Sequence, residues 1–507
     1  MSASAATPYD LAIIGGGING AGIARDAAGR GLKVLLVEKD DLASHTSSWS
    51  TKLIHGGLRY LEHYAFRLVH EALAEREVLL RAAPHIVSPL QFVLPHEPHL
   101  RPAWMIRAGL FLYDHIGGHK SLASSFSVDL HASKWGAGLK DKFGKGFVYS
   151  DARVDDARLV VLNAIAAREL GADIRTHTRL SAARRENGVW RLELVGAAGA
   201  PSEARARGLV NAAGPWVKQV HDEASSAPAQ AGVRHVKGSH IVVPKVHAEA
   251  HAYILQNSDQ RIVFVIPYQD EFSLIGTTDI PVEEFEAPKI SAEEIDYLCG
   301  IADAYLARPI GAKDVVWTYS GVRPLYDDGS SDPSSVTRDY VLKLDDGQGG
   351  QAPLLSIFGG KITTYRRLAE SVLAELKAFF PQMKAEWTRR EPLPGGDMPR
   401  ADLGAYERAL AARYPSLPGP LRAALVRRHG TRTPRIFGEA KTAEELGRHF
   451  GHTLYAAEID YLVAHEWART AEDILWRRTK CGLHLDASQR DAVGAYLREQ
   501  YGGKINP

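Results

Sequence analysis

Ile14-Gly15-Gly16-Gly17-Ile18-Asn19-Gly20 stands where an apolar run, residues 11–14, gives way to a helical pattern over residues 19–30. Gly15, Gly17 and Gly20 keep the spacing G-x-G-x-x-G. The first glycine allows a tight turn, the second lets the backbone approach a pyrophosphate, and the third lets the helix lie close to its strand. Free N–H groups at the start of that helix then face phosphate oxygens. Gly31 stops the helix, residues 33–37 read as a second buried strand, and Glu38 ends it. A carboxylate there accepts from ribose hydroxyls and repels a 2′-phosphate, so the stretch predicts a site for NAD or FAD and disfavours NADP.

Working outward, residues 41–50 are dense in serine and threonine. Thr46, Ser47, Ser48, Ser50 and Thr51 offer hydroxyls near the glycine turn and Lys52 adds a cation. They suit diphosphate or ribityl oxygens, the alternative being a solvated serine loop. Far downstream, Leu209-Val-Asn-Ala-Ala-Gly-Pro-Trp-Val217 is a second apolar strand that breaks into a glycine turn. A nicotinamide enzyme does not need this return, whereas a larger cofactor lying extended along a sheet does.

A chain of 507 residues is too long for one core and predicts two or three domains. Lysine and arginine number 61 against 60 acidic residues, so no general attraction to nucleic acid is expected and charge-driven chemistry must be local. Cys299 and Cys481 are the only cysteines, which gives no disulfide framework, suits a reducing compartment and argues against a structural zinc or iron–sulfur site. No metal-ligand spacing is present, so no metal is expected. Residues 1–10 lack the pattern of a secretory signal, and no run reaches the roughly 18 apolar residues that span a bilayer. The expected location is the cytoplasm or the cytoplasmic face of a membrane.

Residues 62–82 read as a charged helix with Glu71, Glu75, Arg76 and Arg81 on an exposed face. Residues 102–113 form a short aromatic and apolar helix that suits a core or a lipid interface. Residues 117–146, with Lys120, Lys134, Lys140, Lys142 and Lys145, read as a mobile loop or a basic contact to anionic headgroups. An amphipathic helix over 155–170 and a strand over 189–195 follow. Residues 237–364 are rich in β-type runs, at 241–243, 262–266, 272–276, 315–319 and 354–358. Residues 391–396 read as a linker, and the remainder is helix-patterned, including 458–470 and 474–480. The expected fold class is α/β (α+β). A Rossmann-like dinucleotide domain is formed by 1–235 and 355–388, a mainly β substrate domain by 236–354, and an all-α cap by 389–507.

Four cations stand in turns or loops: Arg59 in His55-Gly-Gly-Leu-Arg-Tyr60, Arg323 in Gly321-Val-Arg-Pro324, Arg338 in Thr337-Arg-Asp339, and Lys361 in Gly359-Gly-Lys361. Converging on one cleft they would hold a small dianion; singly, each is a surface charge or a partner for an acid. His240, at the start of a strand, suits a general base at neutral pH. Lys361 shares that role if burial lowers its pKa, and the two stay open as candidates.

The motifs Ile14-Gly-Gly-Gly-Ile-Asn-Gly-Ala-Gly-Ile23, Ser50-Thr-Lys-Leu-Ile-His-Gly-Gly-Leu-Arg-Tyr-Leu-Glu62, Gly238-Ser-His-Ile-Val-Val-Pro244, Ile275-Gly-Thr-Thr-Asp279, Tyr319-Ser-Gly-Val-Arg-Pro-Leu325 and Phe358-Gly-Gly-Lys-Ile-Thr-Thr-Tyr-Arg366 closely resemble the bacterial aerobic FAD-dependent glycerol-3-phosphate dehydrogenases. The resemblance runs from about Asp10 through Trp476-Arg-Arg-Thr-Lys480. It implies FAD as cofactor, oxidation of sn-glycerol 3-phosphate to dihydroxyacetone phosphate, and ubiquinone as electron acceptor. It further implies a homodimer held peripherally on inner-membrane lipids. Carried over by motif, Arg59, His240, Arg323, Arg338 and Lys361 are the implied substrate-site residues. Gly15, Gly17, Gly20, Glu38, Thr46, Ser47, Ser48, Ser50, Lys52, Leu53, Gly56, Gly57, Ala213, Gly214, Gly359, Gly360, Lys361 and Thr363 are the implied cofactor contacts. The competing readings are an oxygen-using oxidase of the same substrate and a non-catalytic flavin-binding protein.

Overall fold

The computed structural model describes residues 7–97, 100–118, 121–224, 232–257, 259, 261–276, 278–327, 339–347 and 350–502. Its first sheet runs, in spatial order, Val341–Asp345, Leu354–Phe358, Pro201–Asn211, Tyr9–Ile14, Val34–Val37 and Asp173–Arg175. The hairpin Arg179–Glu186 and Val189–Val195 is joined to it through Pro201–Asn211. The three central pairings are parallel, with Leu11 opposite Val34 and Gly208 and Ile14 opposite Val37 and Asn211. Parallel strands covered on both faces read as unbroken apolar runs, which is why Leu11 to Ile14 and Val34 to Val37 are wholly buried.

Before residue 170 the chain forms helices α1 (Ile18–Gly29), α2 (Phe66–Ala82), α3 (Ala103–Ile116) and α4 (Asp156–Glu169). Helix α1 packs on the first sheet, with α4 and Tyr365–Glu375 beside it. Its small residues allow the approach: a Cβ on Gly22 would lie 2.6 Å from the Tyr365 ring.

The second sheet has the order Ile280–Pro281, Gly232–Pro244, Phe272–Gly276, Ile262–Tyr268, Ala252–Gln256, Val87–Pro95, Lys145–Val154 and Leu53–Ile54. Trp317–Asp327 pairs with Gly232–Pro244, and Phe126–Asp129 with Lys145–Val154. This corrects the expected division. The second sheet draws four strands from residues 53–154, which were assigned to the dinucleotide domain, while Val341–Asp345 joins the first sheet from inside the segment 236–354. A run of apolar residues announces a strand but not which sheet it joins, because pairing partners are distant in sequence.

Several local expectations are also corrected. Glu75 and Arg76 are buried, Glu75 pairing with Arg366 at 2.5 Å and Arg76 with Asp151 at 2.8 Å. Helix α4 is buried on nearly every side because the C-terminal domain covers the face turned away from α1. The segment 117–146 contains the strand Phe126–Asp129, with Lys120 outside the described residues. The segment 391–396 is packed, Arg25 donating to the carbonyls of Glu391 and Pro392 at 3.0 and 3.2 Å. Helices Leu403–Arg413, Gly419–His429, Ala456–Glu466 and Ala487–Tyr501 build the C-terminal domain. It is helical as expected, with one short hairpin formed by His449–Gly451 and Leu454–Tyr455. Both cysteines are buried free thiols. Among the described residues no helix is long and apolar enough to cross a membrane.

Candidate functional site: a dinucleotide cleft beside a buried histidine

The glycine turn is as tight as its sequence requires. Gly15 has φ +110°, and a Cβ there would lie 2.5 Å from the Ala212 carbonyl oxygen. A Cβ on Gly20 would lie 1.9 Å from the Gly15 carbonyl oxygen. Only glycine fits either place. Gly17 forms the N-cap of α1, and the Ser47 hydroxyl accepts from the Ile18 N–H at 3.0 Å.

Glu38 closes the second strand. Its carboxylate accepts from the Gly16 N–H at 2.6 Å and the Asp40 N–H at 2.9 Å, which fixes it beside the turn. Burial pushes its pKa up, opposed by those two N–H groups. The open cleft in front runs past Gly15, Glu38, Ser47, Ala213, Gly214 and Gly360. Gly359 and Gly360, which also line it, have φ +78° and +104°, and the Asn19 amide donates to the Gly359 carbonyl at 3.2 Å. The Asn19 Oδ1 is buried without a partner among the described residues. A glycine-walled groove with a buried carboxylate beside its glycine turn fits an extended adenine dinucleotide.

Not every implied cofactor contact turns into that groove. The Ser50 hydroxyl donates to Asp156 at 2.7 Å, and the Lys52 ammonium donates to both Asp156 oxygens at 2.9 Å and to the Ser48 carbonyl at 2.8 Å. Thr46 donates to the Val322 carbonyl at 2.7 Å and Ser48 to the His45 carbonyl at 3.3 Å. Leu53 is buried in its strand, and the Gly56 N–H donates to the Tyr113 hydroxyl at 2.9 Å. Gly57 has φ +73°, and the Thr363 hydroxyl accepts from the His55 N–H at 3.3 Å. These residues shape the wall around the cleft, with the side chains of Ser50 and Lys52 committed to Asp156.

His240 lies on Gly232–Pro244, opposite Gly276 on one side and Tyr319 on the other. Its ring stacks on Tyr319 with centroids 4.7 Å apart, and a Cβ on Gly276 would meet it at 2.2 Å. Nε2 lies 3.0 Å from the Thr51 hydroxyl, and Nδ1 is buried without a partner among the described residues. Burial, then Lys52 and Arg323, hold its pKa well below 6.5, so the ring is neutral at physiological pH. Arg323 points from the neighbouring strand, paired with Asp279 at 2.5 Å and donating to the Thr278 carbonyl at 3.1 Å. Lys361 stands with Nζ 4.0 Å from the centre of the Tyr60 ring, and Arg59 sits one residue before that tyrosine. Arg323 thus acts on His240 electrostatically from the paired strand, its own register partner being Val236, and Lys361 faces the tyrosine that follows Arg59. Arg338 lies outside the described residues.

Thr51, Tyr319 and Gly276 are the neighbours that hold His240, and sequence reasoning gave none of them that role; register between strands, not spacing along the chain, brings them together. A second missed feature is Asp41. It is 2% exposed and accepts from Arg478 at 2.7 and 2.8 Å and from Arg477 at 2.6 Å. The C-terminal domain therefore grips the segment that follows Glu38.

Glycine cradle, anchored carboxylate and neutral buried histidine define a dinucleotide-dependent oxidoreductase. Residues 10–366 match the model of the FAD dependent oxidoreductase family, and residues 387–500 match the C-terminal domain of alpha-glycerophosphate oxidase. A glycerol-3-phosphate dehydrogenase of Pseudomonas aeruginosa is 54% identical over 99% of this chain and 97% of its own length. The aerobic glycerol-3-phosphate dehydrogenase of Escherichia coli is 53% identical over 97% of each chain. A D-erythritol 1-phosphate dehydrogenase of Brucella abortus is 54% identical over 95% of this chain and 96% of its own. The solved glycerol-3-phosphate dehydrogenase of Bacillus halodurans, complexed with FAD, superimposes with a TM-score of 0.77 at 25% identity, covering 98% of this chain and 91% of that one. The chain belongs to the FAD-dependent oxidoreductases, in the group of the glycerol-3-phosphate dehydrogenases that its motifs resemble. It is an enzyme whose cofactor is FAD.

Proposed function

We propose that the enzyme oxidises the C2 hydroxyl of sn-glycerol 3-phosphate to give dihydroxyacetone phosphate, with ubiquinone taking the electrons. The observation that carries this reading is His240, a neutral imidazole held by Thr51 and Tyr319 within the electrostatic reach of Arg323. Bound FAD supplies the two-electron acceptor for the C2 hydride. Glu38 and the glycine turn at 15–20 hold the adenosine and diphosphate, and the turns at 213–214 and 359–360 line the remainder of the cleft. Arg323 and Arg338 bind the substrate phosphate, and Arg59 and Lys361 orient its hydroxyls. Arg323 exchanges its Asp279 partner for phosphate oxygens, which a guanidinium fork matches two at a time. The imidazole of His240 takes the hydroxyl proton, its orientation fixed by the contact of Nε2 with Thr51. We prefer it to Lys361 as the base because it is the buried, already neutral group.

A four-carbon substrate, D-erythritol 1-phosphate, is a second reading, favoured by the 54% identity to the enzyme of that name. The deciding experiment mixes the FAD-loaded protein anaerobically with each phosphate and follows flavin absorbance. Rapid bleaching by glycerol 3-phosphate, reversed faster by a ubiquinone analogue than by oxygen, is the expected result. Bleaching by erythritol phosphate alone overturns the substrate, fast reoxidation by oxygen with peroxide release indicates the oxidase, and no bleaching by either phosphate overturns the activity.

The proposal includes peripheral attachment on the cytoplasmic face through α3, as part of a homodimer. Trp104 is 70% exposed and Phe111 58%, with Tyr64 and Phe66 exposed at the start of α2. Aromatic side chains of this kind suit the lipid interface. Replacing Trp104 and Phe111 by glutamate is expected to release the protein from anionic vesicles in a flotation assay, and undiminished binding refutes the assignment.

A further inference from the structure

The segment from Ser50 to Lys52 carries the groups that hold His240. The Thr51 hydroxyl lies 3.0 Å from His240 Nε2. Tyr319, whose ring stacks on that imidazole, donates its hydroxyl to the Ser50 carbonyl at 2.7 Å. The Lys52 ammonium lies 4.9 Å from the centre of the same tyrosine ring. Successive residues of this segment thus set where the histidine and its stacking partner stand.

What fixes the segment is a single carboxylate. Asp156, fully buried at the start of α4, accepts from the Ser50 hydroxyl at 2.7 Å, from the Ser50 N–H at 3.3 Å and, through both oxygens, from the Lys52 ammonium at 2.9 Å. The Ser50 hydroxyl in turn accepts from the Lys52 N–H at 2.9 Å. This grip works against a backbone preference: Lys52 has φ +60°, a left-handed conformation that a lysine keeps only where its surroundings over-determine it. Burial lowers the pKa of Lys52 and Asp156 opposes that fall, so the carboxylate favours the charged ammonium. Asp156 does not line the dinucleotide cleft, so its influence on the site passes through the residues it holds.

We propose that Asp156 is a positioning residue for the redox reaction: through Ser50, Thr51 and Lys52 it keeps the His240 imidazole in the orientation that takes the substrate proton. The inference rests on the reading of His240 as the base. Its test is a double-mutant cycle on the FAD-loaded protein. Asp156→Asn puts a donor where Ser50 and Lys52 require an acceptor, and Thr51→Val removes the hydroxyl at His240. Each is expected to slow flavin reduction by glycerol 3-phosphate about tenfold in anaerobic stopped flow, with flavin content and the half-saturating substrate concentration within about twofold of wild type. The two together are expected to lose less than the product of the single losses, because Asp156 acts in part through Thr51. The imidazole nitrogen NMR spectrum gives a second readout that needs no turnover, the His240 signal being assigned by its loss in His240→Asn. Asp156→Asn is expected to move the Nε2 resonance of His240 in the same direction as Thr51→Val. Should Asp156→Asn fail to fold, Ser50→Ala, which removes the hydroxyl bridging the Lys52 N–H and Asp156, takes its place in both measurements. Reduction as fast as in wild type, losses that multiply, or a His240 resonance that does not move overturn the positioning role. A wild-type flavin that glycerol 3-phosphate leaves unbleached overturns the proposed function instead, and the resonance then decides the role of Asp156 at His240.

Discussion

Replacing Arg478 by methionine tests whether the C-terminal domain supports the cofactor cleft. Arg478 is fully buried; it donates to both oxygens of Asp41 at 2.7 and 2.8 Å and to the Glu466 carbonyl at 2.7 and 3.2 Å. Methionine keeps much of the volume and removes the charge, leaving Asp41 with Arg477 alone. Removing one side of a buried pair costs about 3–5 kcal/mol, and the retained Arg477 contact places this case near the lower figure. Asp41 begins the turn that carries Ala43, Ser44, His45, Thr46 and Ser47 into the cleft wall. A loss of about 3 kcal/mol confined to that turn weakens FAD binding roughly 100-fold. The assay is titration of apoprotein with FAD by flavin fluorescence, alongside thermal unfolding of the apoproteins. A variant that melts earlier yet binds FAD within about twofold of wild type would refute the claim, because the pair would then stabilise the domain junction without holding the cleft.

His240→Asn is expected to slow flavin reduction by roughly 100-fold with FAD content unchanged, measured by anaerobic stopped flow. The low pKa of His240 places any acid limb from its protonation below pH 6.5, and a limb at or above that value would contradict its burial. Gly20→Ala forces a methyl group into the Gly15 carbonyl; a loss of about 3 kcal/mol and protein purified without flavin are expected, checked by melting and absorbance. His85, His251 and His247 are buried neutral, with pKa values held down to about 3, about 3 and about 4. The unfolded chain binds their protons first as pH falls below 6.5, so this stability is present above 6.5 and lost toward pH 4. The His85 contribution at pH 4.5 is about 2–3 kcal/mol, and His85→Leu should flatten that part of the melting profile.

The glycine turn was legible because its requirement is local: no side chain fits at Gly15 or Gly20 whatever surrounds them. Glu38 was legible for the same reason, being the residue that ends the strand after the helix. The candidate base was visible as a histidine opening a β-type run, but its neutrality was not, since that comes from Tyr319, Gly276, Lys52 and Arg323 arriving from other segments. Charge patterning misled at Glu75 and Arg76, which read as a solvated helix face and are buried because Arg366 and Asp151 meet them there. The hydroxyls at Ser50 and the ammonium at Lys52 misled similarly: chemistry that suits phosphate also suits Asp156.

The order of strands in the first sheet has a consequence for biosynthesis. Tyr9–Ile14 stays without one of its neighbours until Pro201–Asn211 exists, and that strand in turn waits for Leu354–Phe358. At roughly 5–20 residues per second, translation needs on the order of 20–70 s to pass from the first of these strands to the last. Throughout that interval the nascent glycine turn lacks the turn at 359–360, and for its earlier part the turn at 213–214 as well. The complete cleft for FAD is consequently available only after residue 360 has been made.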